Sequence, residues 1–485
     1  MSGRGGGQGD STAARRTLWL VSAAVLFSVL SGTMVNVALP LIGEDLAVEP
    51  ARLGWLVTGY LLVFGVSIPF YGRLADLHGA RKLFILGLCV FSAGSVLAAL
   101  APSYVVLLLA RIVQAAGSAA LPGLGIALVS QAYPPERRGS AMGFVSAAAG
   151  SGAAVGPTLG GFVAGLFGWH VLFVLSAFAG LLAPVALRSL PRSEANRGEG
   201  IDLPGGVLLG LTVGGALLAA TEASRGDLLA PVVLMSAGVA VVAAVLLLLW
   251  HRRARFPFVP RDLLRSPAYL ALVLLSFGSM AMNLPVLISL PLLLASYNQL
   301  APVQVGLALL PEALVFTFLG PISGRVVDRF GPRRPVRGGL LAMLLAGFLL
   351  SSFGAGAPVW VVSALAAVLS GGFAFVNSPL ATSVSLVALS GRLASALSMN
   401  SMFFFIGGAL GTAVVGATLT ARARAEQALN PLHSGGAAPF SDVYLFLLLP
   451  LLLALALTVT LPDVSYAPEP RQDAPTPQPA ASGGE

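Results

Sequence analysis

Charged side chains inside long apolar runs are the residues of this chain best placed to carry chemistry. Glu312 lies about nine residues into the apolar run 303–323, directly after Pro311, and it is the one acid of twenty near the middle of such a run. A proline frees a backbone group in a helix, and a carboxyl group held away from water can take up and release a proton. We therefore predict that Glu312 is a proton-coupling residue; a structural pair with a buried cation is the alternative.

A second intramembrane charge is Arg111, about seven residues into the apolar run 104–130, with Gln114 one turn later on the same helix face. A guanidinium inside a bilayer costs about 3 kcal/mol or more. We therefore expect Arg111 to face a central cavity or to be paired. A functional role and a structural hydrogen bond to neighbouring helix backbones are both open for this pair.

A short charged sequence occurs twice: segment 71–82 returns as 323–334, with a constant offset of 252 residues. Glycine permits a tight turn and close approach, and a carboxylate can accept hydrogen bonds from the N-terminus of a neighbouring helix. We interpret each copy as a breakable latch between two halves of the protein, with a solvated loop as the alternative. The latch residues are Gly72, Arg73, Asp76, Gly79, Arg81 and Lys82, and in the second copy Gly324, Arg325, Asp328, Gly331 and Arg333.

Glycines at every fourth position predict close helix packing in the run 139–165. They are Gly152, Gly156 and Gly160; Pro157 and Gly161 belong to the same motif. Small residues at this spacing let two membrane helices approach closely, and the proline removes one backbone hydrogen bond. Ordinary membrane packing is the alternative to a functional interface.

Polar residues in apolar runs are candidates for a substrate cavity, since ligand pockets are apolar with a few polar groups. Helix packing explains each of them equally well. The candidates are Asn36, Asn283, Asn377 and Asn400. The single cysteine, Cys89, and four widely spaced histidines give no metal-ligand pattern, and we expect no metal and no cofactor.

The composition indicates that the chain is embedded in a membrane and that membrane helices position these candidate residues. Hydrophobic residues make up 56% of the chain and charged residues only 10%, which excludes a soluble enzyme, a disordered protein and a nucleic-acid-binding domain. The first apolar run is too long for a signal peptide and is predicted to be retained. Fourteen spans are predicted: 18–40, 53–72, 83–101, 104–130, 139–165, 169–188, 203–221, 229–250, 268–295, 303–323, 337–355, 358–387, 394–420 and 441–461.

The distribution of cations sets the predicted topology. With both termini in the cytoplasm, 23 of the 28 Lys and Arg residues fall in cytoplasmic segments and 4 outside. If eight helices fill the offset of 252 residues, each helix with its loop takes about 32 residues. Eight helices are two more than one six-helix bundle, so two extra helices separate the repeated halves. The predicted division is a disordered N-terminal tail at 1–17, a six-helix bundle at 18–200, the extra pair at 201–252, a second six-helix bundle at 253–461 and a disordered tail at 462–485.

These motifs together resemble those of the major facilitator superfamily, specifically its fourteen-helix drug:proton antiporter family. The resemblance rests on the repeated loop, on Leu109-Ala-Arg-Ile-Val-Gln114, on the glycine motif 152–161 and on Val35-Asn-Val-Ala-Leu-Pro40. It implies an all-α integral membrane fold of two pseudo-symmetric six-helix bundles. It also implies a proton-transfer role for Arg111 and Gln114, and an antiporter interface at the glycine motif that limits proton leak.

At several positions where relatives have an acid this sequence has none, which leaves fewer candidates for the residue that carries the proton. Ser31 stands where many relatives have an acid in the first helix, and the stretches Gly152-Ala-Ala-Val and Ile406-Gly-Gly-Ala lack the acids of tetracycline antiporters. Glu312 is therefore the main candidate.

The predicted function is proton-coupled export of small amphiphilic compounds or antibiotics across the cytoplasmic membrane by alternating access, driven by the proton gradient. No nucleotide-binding or catalytic motif is present, so we predict that the chain is not an enzyme. Its predicted partners are a small-molecule substrate, protons and the lipid bilayer, with no nucleic acid, and the chain is expected to act as a monomer. Uptake or symport of a metabolite, or a non-transporting membrane sensor, are the alternatives.

Overall fold

The computed structural model describes residues 6–191, 200, 202–225, 227–354, 356–388 and 392–460. Within these ranges the chain is helical and contains no strand. The helices are α1 (Gly6–Asp45), α2 (Pro50–His78), α3 (Ala80–Ala99), α4 (Tyr104–Ser118), α5 (Leu121–Ala132), α6 (Pro135–Phe167), α7 (His170–Ala177), α8 (Leu182–Ser189), α9 (Leu203–Ala223), α10 (Pro231–Arg253), α11 (Arg261–Arg265), α12 (Pro267–Ser296), α13 (Pro302–Phe330), α14 (Arg333–Leu349), α15 (Val359–Val387), α16 (Leu393–Ala421) and α17 (Ala438–Leu457).

Thirteen helical segments in the described part of the chain are long and apolar enough to cross a membrane. The predicted all-α membrane fold is therefore confirmed. The remaining predicted span, 139–165, lies in α6, which is not among the thirteen but has 33 residues and a length of about 50 Å, against about 30 Å of hydrocarbon. The count of fourteen stays a prediction.

Three predicted spans differ from the observed helices in where they begin or in being divided. Helix α1 begins at Gly6, inside the segment predicted to be disordered; in that segment Ala14 and Thr17 are buried, and the Thr17 hydroxyl donates to the Ser189 carbonyl at 3.5 Å. The predicted span 104–130 is divided into α4 and α5 by a turn at residues 119–120. The span 169–188 is divided into α7 and α8 by a 3-10 turn, Phe178–Leu181. The predicted C-terminal tail, 462–485, lies outside the described residues.

Helices from the two halves of the sequence are packed against each other. Helix α6 lies between α1 and α13, and α16 packs against both α2 and α12. Most candidate site residues lie on these six helices, so their positions depend on contacts between distant parts of the chain.

The two additional helices, α9 and α10, form a pair that contacts both halves. Helix α9 packs on α2 and on α16. The buried Asp202 holds the base of the pair, because its carboxylate accepts hydrogen bonds from the Gly205 and Phe258 N–H groups and from Trp250 Nε1, at 2.9–3.0 Å. The predicted division into two bundles and an inserted pair remains an interpretation of this arrangement.

Candidate functional site

The first repeated segment, predicted as a loop between helices, is helical except at Gly79, and it places Asp76 of α2 against the start of α16. Its two carboxylate oxygens accept hydrogen bonds from the Ala394 and Ser395 N–H groups, each at 3.1 Å, and the side chain is 6% exposed. The first N–H groups of a helix lack partners within the helix and carry partial positive charge, so they suit a carboxylate. Gly72 allows this approach, since a Cβ atom there would stand 2.9 Å from the Ala394 carbonyl oxygen.

The second copy of the loop makes the corresponding contact with α6. Asp328 accepts hydrogen bonds from the Gly139 and Ser140 N–H groups at 2.8 and 2.9 Å, and also from the Ser140 hydroxyl. A Cβ atom on Gly324 would stand 2.8 Å from Ser140 Cα, so the backbones of α13 and α6 touch. The geometry expected of a latch is thus present in both copies; its breaking during function stays a prediction.

Among the cations of the repeated segments, Arg81 bonds to a backbone carbonyl and not to an acid. Arg81 donates to the Leu187 carbonyl at the end of α8, within the first half, and does not pair across the loop. Arg73 is buried at 1% exposure, Arg333 is half-buried, and Lys82 and Arg325 are exposed.

Two glycines of the loops have backbone conformations that disfavour other residues. Gly79 and Gly331 have φ angles of +95° and +74°. They make the turns that join α2 to α3 and α13 to α14, in agreement with the predicted tight turning.

The glycine motif of α6 packs directly on the backbone of α1. A Cβ atom on Gly152 would stand 3.0 Å from the Leu26 carbonyl oxygen, and one on Gly160 would stand 2.8 Å from Met34 Cα. Gly156 faces Thr33, and Gly161 faces Val37 more loosely. Pro157 is exposed, and α6 is continuous through it. Close packing is therefore observed, whereas control of proton leak remains a prediction.

Arg111 is fully enclosed within the first half of the chain. It donates to Gln114 Oε1 at 2.6 Å and to the Leu56 carbonyl at 3.4 Å, and its Cζ atom lies 4.1 Å from the centre of the Tyr60 ring. It is 1% exposed, so of the two expected arrangements the structure shows pairing. No carboxylate of the described chain forms an ion pair with it.

Gln114 extends this network to α1 and α3. Its Nε2 donates to Ser31 at 3.0 Å and to Ser95 at 2.7 Å. Nearby, the Tyr60 hydroxyl donates to Ser118, which is bonded in turn to Ser28 of α1 at 2.5 Å. Ser31, the position where the family resemblance led us to look for an acid, is thus a hydrogen-bond acceptor beside a buried cation.

Glu312 is buried in the second half of the chain with an unsatisfied oxygen. It is 5% exposed, and its Oε2 has no hydrogen-bond partner in the described structure. Tyr444 of α17 lies within electrostatic range of Glu312, and Ser289 of α12 lies beside the Tyr444 hydroxyl. The Tyr444 hydroxyl also lacks a hydrogen bond of good geometry. Sequence reasoning missed Tyr444 and Ser289, since one polar side chain in an apolar helix gives no sign of which helix it faces.

The four candidate cavity residues are not joined by hydrogen bonds. Asn36 is exposed, Asn283 and Asn377 are half-buried, and Asn400 is 9% exposed with an unpartnered Oδ1. None of the four side chains makes a hydrogen bond to another described residue. Free amides suit a cavity lining, but the structure does not bring these four together into one site.

No group of three or more His, Cys, Asp or Glu residues that could hold a metal ion occurs in the part of the chain that the structure describes. The groups that could carry chemistry are therefore a buried carboxyl group with one unpartnered oxygen in one half, a buried guanidinium in the other, and two acids joining the halves.

Comparison with known proteins gives consistent matches over most of the chain. The family model described as Major Facilitator Superfamily matches residues 21–412 and 268–481. The puromycin resistance protein of Streptomyces alboniger is 33% identical over 420 residues, covering 83% of this chain and 81% of the relative. A multidrug resistance protein of Mycobacterium tuberculosis is 30% identical over 408 residues, covering 84% and 76%.

A further relative and two solved structures broaden the comparison. The riboflavin transporter of Clostridioides difficile is 25% identical over 364 residues, covering 75% of this chain and 78% of its own. The crystal structure of a human organic anion transporter has a TM-score of 0.65 at 17% identity, covering 91% of this chain and 99% of that chain. A proton:xylose symporter has a TM-score of 0.64 at 14% identity, covering 92% and 95%. At these identities the structures show a shared fold.

Proposed function

Because this chain belongs to the major facilitator superfamily and is a multi-pass membrane transporter rather than an enzyme, we propose that it exports small amphiphilic compounds in exchange for protons. The observation that carries the proposal is Glu312, a buried carboxyl group with one oxygen unsatisfied. The names of the puromycin and multidrug resistance relatives support export of amphiphilic drugs. We place the protein in the cytoplasmic membrane as a monomer with fourteen spans, counting α6.

The mechanism that we propose is alternating access between two bundles. Asp76 and Asp328 each tie one half to the other at the end predicted to face the cytoplasm, and we interpret these contacts as those of a state closed on that side. Protonation of Glu312 favours one orientation and substrate binding favours the other. Each ligand shifts this equilibrium only by the difference between its affinities for the two states.

Uptake is the second candidate function, and the riboflavin transporter relative favours it. The structure contains the same fold whichever way substrate moves, since the direction depends on how proton and substrate binding are linked. The proposed export therefore needs a test in which uptake gives the opposite result.

The decisive experiment measures substrate accumulation in efflux-deficient cells that express the protein. Ethidium, tetracycline and puromycin are compared with radiolabelled riboflavin, with and without a protonophore. Export predicts lower drug accumulation that the protonophore restores, and no such effect in cells expressing Glu312→Gln at equal membrane levels. Higher riboflavin accumulation with unchanged drug accumulation would overturn export in favour of uptake.

A further inference from the structure

A groove of about 800 Å³ lies between α13 and α14, with α15 as its floor. Its walls are almost entirely apolar, formed by residues such as Val315, Leu319 and Phe330. Phe330 and Val368 are 44% and 46% exposed, so the groove opens on the outer surface of the bundle. Neither Glu312 nor the two acids that join the halves is among its lining residues.

Glycines make this groove deep. A Cβ atom on Gly338 would meet nothing within 4 Å, whereas one on Gly371, in the floor, would stand 3.1 Å from Leu319. At the offset of 252 residues that relates the two loops, the first half has Leu86 where the groove has Gly338, and Val90 where it has Ala342. Leu86 is 51% exposed on α3. The missing side chains are therefore a property of the second half and not of the fold as such.

Positive charge stands at one end of the groove. Arg334 lines it, is exposed, and has no hydrogen-bond or ion-pair partner among the residues that the structure describes. Arg325 and Arg329, on the last two turns of α13, are also exposed. The one acid nearby in sequence is Asp328, and its oxygens are occupied by α6. An unneutralised cationic end therefore adjoins an apolar channel, at the face predicted to be cytoplasmic.

We propose that this groove binds an anionic phospholipid of the cytoplasmic leaflet, with an acyl chain lying over Gly338 and the phosphate bonded to Arg334. A groove on the outer surface of a membrane protein faces hydrocarbon, which its apolar walls accommodate. A guanidinium pairs with a phosphate through short, charge-assisted hydrogen bonds, and basic pockets between membrane helices on this side suit anionic headgroups. The binding does not depend on the proposed direction of transport.

The test measures lipid retained on the purified protein by native mass spectrometry, using phosphatidylglycerol and phosphatidylcholine with identical acyl chains. Wild type is expected to retain phosphatidylglycerol at least fivefold better. Gly338→Leu fills the groove and should lose this retention, whereas Gly238→Leu should keep it, because a Cβ atom on Gly238 of α10 would also meet nothing within 4 Å but Gly238 does not line this groove. Arg334→Gln should lose the preference for phosphatidylglycerol, and Arg253→Gln, an exposed cation at the same predicted face, should not.

Several outcomes would overturn the proposal. Equal retention of the two lipids by wild type would remove the headgroup selectivity, and unchanged retention in Gly338→Leu would place the lipid elsewhere. Equal losses in Arg334→Gln and Arg253→Gln would show a general surface effect. A dimer in the wild type that Gly338→Leu abolishes would identify the occupant as a second copy of the chain. Loss of substrate transport in Gly338→Leu with lipid retention unchanged would instead make the groove a substrate entrance.

Discussion

Asp76 and Asp328 stand 252 residues apart and make the same contact in opposite directions. Asp76 accepts two backbone N–H groups near the start of α16, and Asp328 accepts two in the second turn of α6. Each acid therefore joins its own half of the chain to the other half, and the two joints lie at the same end of the molecule.

Neutralising either acid is expected to loosen the joint between the halves. Asp76→Asn replaces charge-assisted hydrogen bonds, each worth about 1.5–3 kcal/mol, and should raise the open population about tenfold or more. The measurement is the alkylation rate of a cysteine at position 398 (Ser398→Cys in a Cys89→Ser background). Ser398 packs against Gly72 and is 1% exposed, so the cysteine should react only when the joint opens. Asp328→Asn should act likewise.

Asp262→Asn is the control for this experiment. Its carboxylate lies 3.9 Å from Arg392 in a partly exposed pair, and surface pairs contribute little. Equal alkylation rates in Asp76→Asn and Asp262→Asn would contradict the latch interpretation.

The glycine motif predicts that an added side chain at Gly160 separates α6 from α1. Gly160→Val places atoms against the backbone of Met34 and should cost about 1–3 kcal/mol through overpacking. Thermal unfolding of the purified protein reports this loss. Gly165→Val on the same helix meets nothing within 4 Å and serves as the control. Equal melting temperatures for the two variants would refute the close contact.

At position 31, the sign of the charge on the substituting residue should decide whether the variant is tolerated. Ser31 is fully buried and accepts a hydrogen bond from Gln114, whose Oε1 is bound by Arg111. Ser31→Asp supplies a counter-charge to the guanidinium, whereas Ser31→Lys adds a second buried cation. We expect the aspartate variant to reach the membrane at near wild-type levels and the lysine variant to fail, as measured by quantitative immunoblotting. The reverse order would exclude Arg111 as the dominant charge there.

If Glu312 couples transport to protons, its substitution should abolish transport without affecting folding. Glu312→Gln keeps the size of the side chain but cannot exchange a proton, so coupled transport in proteoliposomes should be abolished while the melting temperature is retained. Tyr444→Phe removes the hydroxyl within electrostatic range and should shift the pH at which transport is half-maximal without abolishing it. Unchanged transport by Glu312→Gln would refute the assignment.

The loop between α16 and α17 is expected to contribute to stability. Asp442 is fully buried and binds Arg422 at 2.7 Å and the Leu429 N–H at 2.6 Å. Asp442→Ala removes the carboxylate partner of Arg422, which keeps its bond to the Gln427 carbonyl, and the acceptor of the Leu429 N–H; it should cost about 3 kcal/mol, seen as a lower melting temperature. Glu426→Ala, an exposed acid in the same loop, should leave the melting temperature unchanged. Equal effects would show that the buried pair adds nothing.

Local properties of the sequence determined the membrane character of this protein, because apolar length and the placement of arginines do not depend on folding partners. The repeat was equally visible, since five identities at one offset need no structure to be recognised. Within that frame, Glu312 and Arg111 were correctly singled out as buried charges, because each interrupts an apolar run.

The tertiary structure alone decided which groups meet. The partner of Asp76 lies 318 residues away, and the contact of Gln114 with Ser31 joins two helices that no local pattern pairs. The contact of Thr17 with Ser189 joins α1 to a residue 172 positions away, and the groove beside Gly338 exists only because three helices converge around a missing side chain. Such contacts arise from the packing of whole helices, so residue type and spacing along the chain leave them undetermined.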